Sequence, residues 1–473
     1  MTTINVIKRD SSIENFDISK ISKQLKRACF NLEDVFPDEI SFEVRNQLYN
    51  NVTTKEIDSV LTLSARAKIE LEPNYSYVAG RLLLYQIYKE ILGKIDLDNI
   101  DQIYKGNFKD YIIAMVNIKN FDKRMLNFDL DKLSQVILPE RDYKFKYLGI
   151  QTLYDRYFIK VDNICRELPQ WFWMWVSMGL CYNENNKEEW VIKFYNMLSE
   201  FKACFSTPTL FNSGLINNQL SSCYLSTLRD SADGIMGGLH SQALLSKHAG
   251  GLGVDFSNIR AAGSIIKSTG GKSSGVIPYL KIFNDILVSF DQGGKRLGAG
   301  NAYIEPWHKD IEDFINVRKS VGDERKRCHD TNISLWVPDL FMEYVEKDKD
   351  WYLFCPSECP DLHSSFGEVF NNIYTYYCGL AEAGLMTNYR KIKARDLMKN
   401  ILKSQNESGY PFITFKDSCN YRYTDIHEGI INSSNLCTEF LRHTIPAIYN
   451  KGIKIKEGQI AVCIYLQLIY FHI

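Results

Sequence analysis

The period of the apolar positions changes along the chain and marks out three stretches. In residues 1–95 the pattern is mixed. Ile4 to Lys8 reads as a short strand and Arg9-Asp10-Ser11-Ser12 as a turn. Ile18, Ile21, Leu25, Ala28, Cys29 and Leu32 then recur at helical spacing, with Asp17 placed to cap the helix. Thr53-Thr54-Lys55-Glu56 has the form of a capping box ahead of Ile57, Val60 and Leu61, and Tyr77 to Leu92 reads as a further helix. Residues 96–200 are almost wholly helical in period and rich in aromatics, including Tyr104, Phe108, Tyr111, Tyr147, Tyr154, Tyr157 and Phe158. Such stripes pack cores far more often than they hold cofactors. From about residue 200 glycines rise and strand-like runs alternate with helical ones, the pattern of a βα-barrel.

Composition narrows the picture. The 473 residues leave room for several domains, and 45% hydrophobic with 24% charged residues describe a soluble globular chain. A net charge of −1 argues against a general nucleic-acid or membrane surface. Twelve cysteines without a CxxC pair, and no secretory signal, indicate a reducing compartment, hence the cytoplasm. Cys355 and Cys359 form a CxxxC with no second ligand pair at zinc-finger spacing, so no metal site is expected. Trp171 to Leu180 is too short to span a bilayer and reads as a buried helix.

The stretch with the most chemistry is Ser433-Ser434-Asn435-Leu436-Cys437-Thr438-Glu439. In an extended segment Asn435, Cys437 and Glu439 would share one side. A thiol that loses a hydrogen atom or a proton, a carboxylate that exchanges protons and an amide that holds a hydroxyl would then face one volume. An ordinary strand with a polar face is the plainer reading of these residues alone.

Asn-Leu-Cys-Thr-Glu resembles the active-site signature of the large subunit of class I ribonucleotide reductases. The resemblance implies Cys437 as a transient thiyl radical, Glu439 as acid/base and Asn435 as the residue that positions the sugar hydroxyls. Val6-Ile7-Lys8-Arg9-Asp10, Glu14 to Lys20 and Thr53 to Ile57 resemble the family's ATP cone. They imply ATP or dATP contacts from Lys8, Glu14, Asn15, Phe16, Asp17, Ile18, Ser19, Lys20 and Thr54. Lys8 suits a phosphate, and a helix N-terminus offers free N–H groups to anions.

Phe205 to Gly214 and Gln219 to Cys223 look like the family's first barrel elements, which puts Thr209 and Ser222 on the substrate and makes Cys223 half of a redox pair. Asp230 reads as the N-cap of the next helix. Gly250-Gly251-x-Gly253 is not a dinucleotide fingerprint; close backbone packing is the simpler reason for it. Resemblance places a specificity effector on Asp230, Ser231, Ala232, Lys247, Arg260 and Lys267, at a dimer interface. The loop Gln292, Gly293, Gly294, Lys295 and Arg296, which leads to Glu305-Pro306-Trp307-His308, would carry the effector's identity to the substrate. Cys463, on the run Glu457 to Ile464, is implied as the partner of Cys223. A dithiol supplies the two electrons of the reduction and becomes a disulfide.

The expected fold is therefore α/β: an ATP cone (1–95), a helical domain (96–200), the first half of a ten-stranded α/β barrel (201–464) and a tail unlike the family (465–473). The implied function is reduction of ribonucleoside diphosphates to their 2′-deoxy forms. No covalent cofactor is implied; nucleoside triphosphates act as effectors and the radical comes from a metal-containing small subunit. The implied partners are that subunit, a second large subunit, thioredoxin or glutaredoxin, and a separate C-terminal half. No membrane or nucleic acid is implied. The resemblance ends near residue 464, about two thirds of a usual large subunit, which a split gene, a frameshift or a read-through would each produce. The alternatives are an inactive nucleotide-binding or dimerising remnant, or a glycyl-radical type of enzyme.

Overall fold

A computed structural model describes residues 4–93, 97–248, 250–290, 297–464 and 466–468. The described residues form two units, one running to Leu220 and including the strand Leu466–Leu468, the other running from Ser221 to Ile464.

The first unit opens with a three-stranded sheet. Asn5–Ile7 lies in the middle, antiparallel to Ile13–Asn15 and parallel to Val52–Thr53. The helices Ile18–Ala28, Thr54–Ala67 and Tyr75–Ile91 follow. Both expected caps form. The Asp17 carboxylate accepts from Ser19 N–H at 2.9 Å, and Thr53 and Glu56 cap one another reciprocally. Beyond them the aromatic stripes fold inward, and the first ten residues of the helix Pro169–Leu180 are buried. One carboxyl sits in that core. Asp142 is fully buried and accepts from Tyr88 OH (2.5 Å), Tyr104 OH (3.1 Å) and Gln170 Nε2 (2.8 Å). Burial pushes it up to about 7 despite those three donors.

The second unit is built on a six-stranded sheet. Its order is Phe412–Phe415, Thr331–Val337, Gly300–Ile304, Gly251–Asp255, Cys223–Thr227 and Ala461–Cys463. The first five run parallel, and Ala461–Cys463 is antiparallel to Cys223–Thr227. Helices such as Ala232–Lys247 and Ile277–Ser289 connect the parallel strands, so the unit is α/β as expected. Alternation sorts the strand residues. Leu252, Val254, Ala302, Ile304, Ile333 and Leu335 enter the main hydrophobic core. Gly251, Gly253, Asn301, Tyr303 and Ser334 belong to the opposite face. At the end of one strand, Lys416 Nζ lies 2.9 Å from both oxygens of Glu305 and donates to Leu362 O and His363 O; both charged side chains are fully buried.

Candidate active site and effector cavity

The segment Ser433–Glu439 is not extended, contrary to the alternation argument. The chain turns at Leu436 and Cys437, Thr438 is left-handed (φ 64°), and Ser434 bridges back to Leu441. The cause is the side chain of Asn435. Its Oδ1 accepts from Glu439 N–H and Phe440 N–H, each at 3.1 Å, and this local capping wins over a strand ladder. The polar residues still converge, but through closure of a loop. Asn435 Nδ2 lies 3.0 Å from Cys223 Sγ, and Glu439 Oε1 accepts from the same thiol at 3.7 Å. Cys437 stands exposed at the turn.

The glycines below allow this seat, as the packing argument expects. A Cβ on Gly253 would lie 2.0 Å from Ser434 O, and one on Gly251 would lie 2.9 Å from the Leu436 side chain. Cys463 stands directly opposite Cys223 in the antiparallel register. Ser222 joins the cluster: its N–H and Oγ donate to Cys463 O at 2.8 and 3.2 Å.

Burial pushes the Cys223 thiol up to about 11, with the Glu439 charge adding to it against its hydrogen bonds with Ser222 and Asn435. Burial and Glu439 also raise Cys463. Both sulfurs therefore keep their protons at neutral pH, which suits a dithiol reductant better than a thiolate nucleophile. Among the described residues, no three His, Cys, Asp or Glu side chains gather to hold a metal ion.

Thr209 lies in the first unit, buried on the helix Thr207–Asn212, where its hydroxyl donates to Leu220 O.

The first unit carries a cavity of about 690 Å³ lined by Lys8, Glu14, Phe16, Asp17, Lys20 and Thr54, among others. Asn15, Ile18 and Ser19 do not line it. Ile18 and Ser19 instead face a larger hollow on the other side of their helix, with Lys23, Lys26, Arg27 and Arg81. Six further polar residues line the same cavity outside the expected set: Arg9, Asp10, Ser12, Gln24, Asp58 and Lys89. Asp58 takes Arg9 at 3.1 Å and Lys89 at 2.8 Å, and Glu14 takes Lys8 at 2.9 Å and Lys20 at 2.7 Å. One signal was legible: Asp58 follows Thr54 by four residues and so shares its helix face. Lys89 lies in no motif.

Around the second unit's helix Ala232–Lys247, the cap is Ser231, whose Oγ accepts from Gly234 N–H at 3.0 Å, and not Asp230. Asp230 pairs instead with Arg260 Nε at 2.9 Å, because Ser231 is the extended residue next to the helix. Lys247 ends the same helix, about 22 Å from its start at 1.5 Å per residue, so one chain does not gather the expected effector set. Lys267 sits exposed in the turn beyond Ile265. The loop Gln292–Arg296 lies outside the described residues.

Three family models match the chain: an ATP cone domain over residues 4–90, a ribonucleotide reductase all-alpha domain over 143–217 and a ribonucleotide reductase barrel domain over 221–465. The chain belongs to the ribonucleotide reductase family. It is 42% identical over 455 residues to the ribonucleoside-diphosphate reductase subunit alpha of Chlamydia trachomatis, covering 95% of this chain and 43% of the relative. The subunit alpha of Helicobacter pylori is 42% identical over 459 residues (97% and 57%). The large subunit of variola virus is 38% identical over 450 residues (93% and 56%). The chain thus spans about half the length of the curated relatives it matches. Among the described residues of this reductase-family chain, no helix is long and apolar enough to cross a membrane.

Proposed function

We propose that the chain is the effector-binding and thiol-bearing part of a ribonucleoside-diphosphate reductase large subunit. The observation that supports it most is the pairing of Cys223 with Cys463 in register, with Asn435 and Glu439 both on Cys223. In this reading Cys437, made a thiyl radical by a metal-containing small subunit, takes the 3′ hydrogen of the ribose. Glu439 exchanges the proton of a ribose hydroxyl. Asn435 spends its Oδ1 on the loop and one N–H on sulfur, which leaves one N–H for a hydroxyl of the substrate. The C2′–O bond breaks and the hydroxyl leaves as water with one hydrogen from the dithiol, the other dithiol hydrogen takes its place on carbon 2′, Cys223 and Cys463 become a disulfide, and the hydrogen held on Cys437 returns to carbon 3′. Thioredoxin or glutaredoxin restores the dithiol. Thr209 and Ser222 complete the substrate contacts.

The same proposal assigns ATP or dATP to the cavity around Lys8 and Lys20, and a second nucleoside triphosphate to Asp230 and Arg260 in a dimer of large subunits. Lys247, Lys267 and the loop Gln292–Arg296 complete that second site. It keeps the division at residues 95, 200 and 464, and a cytoplasmic location.

Two measurements test it. One equivalent of a disulfide-forming oxidant should join Cys223 to Cys463, read by peptide mapping; both thiols remaining free would sink the pairing. With a small subunit, a dithiol and a relative's C-terminal half supplied in trans, Cys437→Ser should abolish turnover. Normal turnover in that variant would end the central assignment.

A further inference from the structure

Cys437 sits on a turn outside any helix or strand, so its placement depends on what holds the backbone beside it. The two carbonyls before it are both taken by side chains of one strand, Gly300–Ile304. Tyr303 OH donates to Asn435 O at 2.7 Å, and Asn301 Nδ2 donates to Leu436 O at 3.1 Å. Asn301 is itself fixed. Its Oδ1 accepts from Ser334 Oγ at 3.0 Å, and its Nδ2 lies 2.8 Å from that hydroxyl and 3.2 Å from Tyr303 OH. Asn301, Tyr303 and Ser334 are all fully buried, and Tyr303 and Ser334 are register partners on adjacent strands. The next strand over supplies room: the Cβ that Gly253 lacks would fall 2.7 Å from Asn435 Cα. One strand makes the space for the turn and its neighbour supplies the donors that fasten it.

We propose that Asn301 and Tyr303, braced by Ser334, are positioning residues that set the place of Cys437 over the sheet. The proposal rests on the reading of Cys437 as the residue that takes the substrate hydrogen. Such a step tolerates little misplacement, since reacting atoms must come within about 3–3.5 Å and a 1 Å error lowers the rate roughly a hundredfold. A bond to each of two successive carbonyls fixes both the height and the tilt of the peptide that leads into Cys437. An apolar side chain at 301 would leave Leu436 O without this donor.

The test uses the 473-residue chain and three variants. Tyr303→Phe removes one hydroxyl. Asn301→Asp keeps the acceptor toward Ser334 but loses the donor to Leu436 O. Ser334→Ala removes the brace behind both side chains and leaves their bonds to the turn in place. Amide hydrogen exchange is followed at Glu439 and Phe440, whose N–H groups close the loop, and at Val254, Ile304 and Leu335 in the sheet. Alkylation of Cys223 is followed from pH 7 to 10. Tyr303→Phe and Asn301→Asp should each speed exchange at Glu439 and Phe440 at least tenfold with the sheet amides unchanged. Cys223 alkylation at pH 9 should rise by a similar factor as the Asn435 and Glu439 side chains leave it. Ser334→Ala should give a smaller change in the same direction. Exchange and alkylation within twofold of the parent would overturn the proposal and leave these side chains as ordinary satisfied core groups. If Asn301→Asp does not fold, Tyr303→Phe, which adds no charge, decides alone. Failure of the catalytic reading shows separately, as turnover that survives Cys437→Ser.

Discussion

The cavity around Lys8 and Lys20 in the first unit and the sulfur cluster of the second handle charge in opposite ways. In the cavity the cations are paired: Lys8 and Lys20 with Glu14, Arg9 and Lys89 with Asp58. Lys8, Lys20 and Glu14 are open to solvent, and their ion pairs exchange readily. In the cluster most partners are neutral, two thiols, an amide and a hydroxyl, and the one carboxylate faces sulfurs that keep their protons. On the proposed function, the contrast separates two tasks. A site that admits a polyanion needs cations whose carboxylate partners can be displaced. A site that delivers hydrogen and electrons from sulfur needs its thiols held as thiols.

The largest expected effect sharpens the contrast in the second unit. Lys416→Met leaves Glu305 buried without its partner and should destabilise by about 3–5 kcal/mol in denaturant unfolding. Glu14→Gln, in the exposed cavity, should hardly move the midpoint. If both variants behaved alike, the distinction between buried and exchangeable pairs would fail.

Next is the pH dependence of the thiols. With Cys223 at about 11, alkylation of Cys223 in the native protein, followed by peptide mapping apart from the exposed Cys437, should rise about tenfold per pH unit from 7 to 10. The sign for stability follows: the raised thiol favours the folded state below the ordinary value near 9, and that contribution is lost as pH climbs through 11. A rate already level at pH 8.5 would mean the sulfur is not shielded.

A third prediction breaks the contrast from the other side, because the first unit also holds one shielded acid. Asp142, raised to about 7, contributes stability that is complete below pH 4 and lost as pH rises through 7. Asp142→Asn should remove that limb of the stability profile, on the order of 2–4 kcal/mol. An unchanged profile would place the carboxyl in a wetter setting than its burial indicates.

The smallest effect is on binding. Lys89→Ala should weaken ATP binding roughly tenfold by calorimetry while leaving the fold intact. ATP affinity equal to the parent's would remove Lys89 from the proposed ATP site.

Much of this was legible in the chain, for reasons that differ by residue. The caps at Asp17 and Thr53 were readable because capping is local, decided within three residues. The α/β character of the second unit was readable because strand-like runs alternate with helical ones from about residue 200. The turn at Cys437 was not, because Asn435 closes it through two bonds to residues four and five positions on, a competition that alternation does not reveal. Asp230 is one residue too early for the cap, which falls to the extended Ser231, and it pairs with the distant Arg260 instead. Asn301, Tyr303 and Lys89 were silent because their roles come from neighbours far along the chain.

The register of Cys223 against Cys463 has a consequence in polymer terms. Joining the two sulfurs would close a covalent ring of about 240 residues, and such a ring confines the unfolded chain by roughly 5 kcal/mol on the loop-entropy estimate. The oxidised and reduced forms would then differ little in their folded shapes but greatly in the freedom of their unfolded ones. Each oxidation would tie a knotless lasso around most of the second unit, and each reduction would release it.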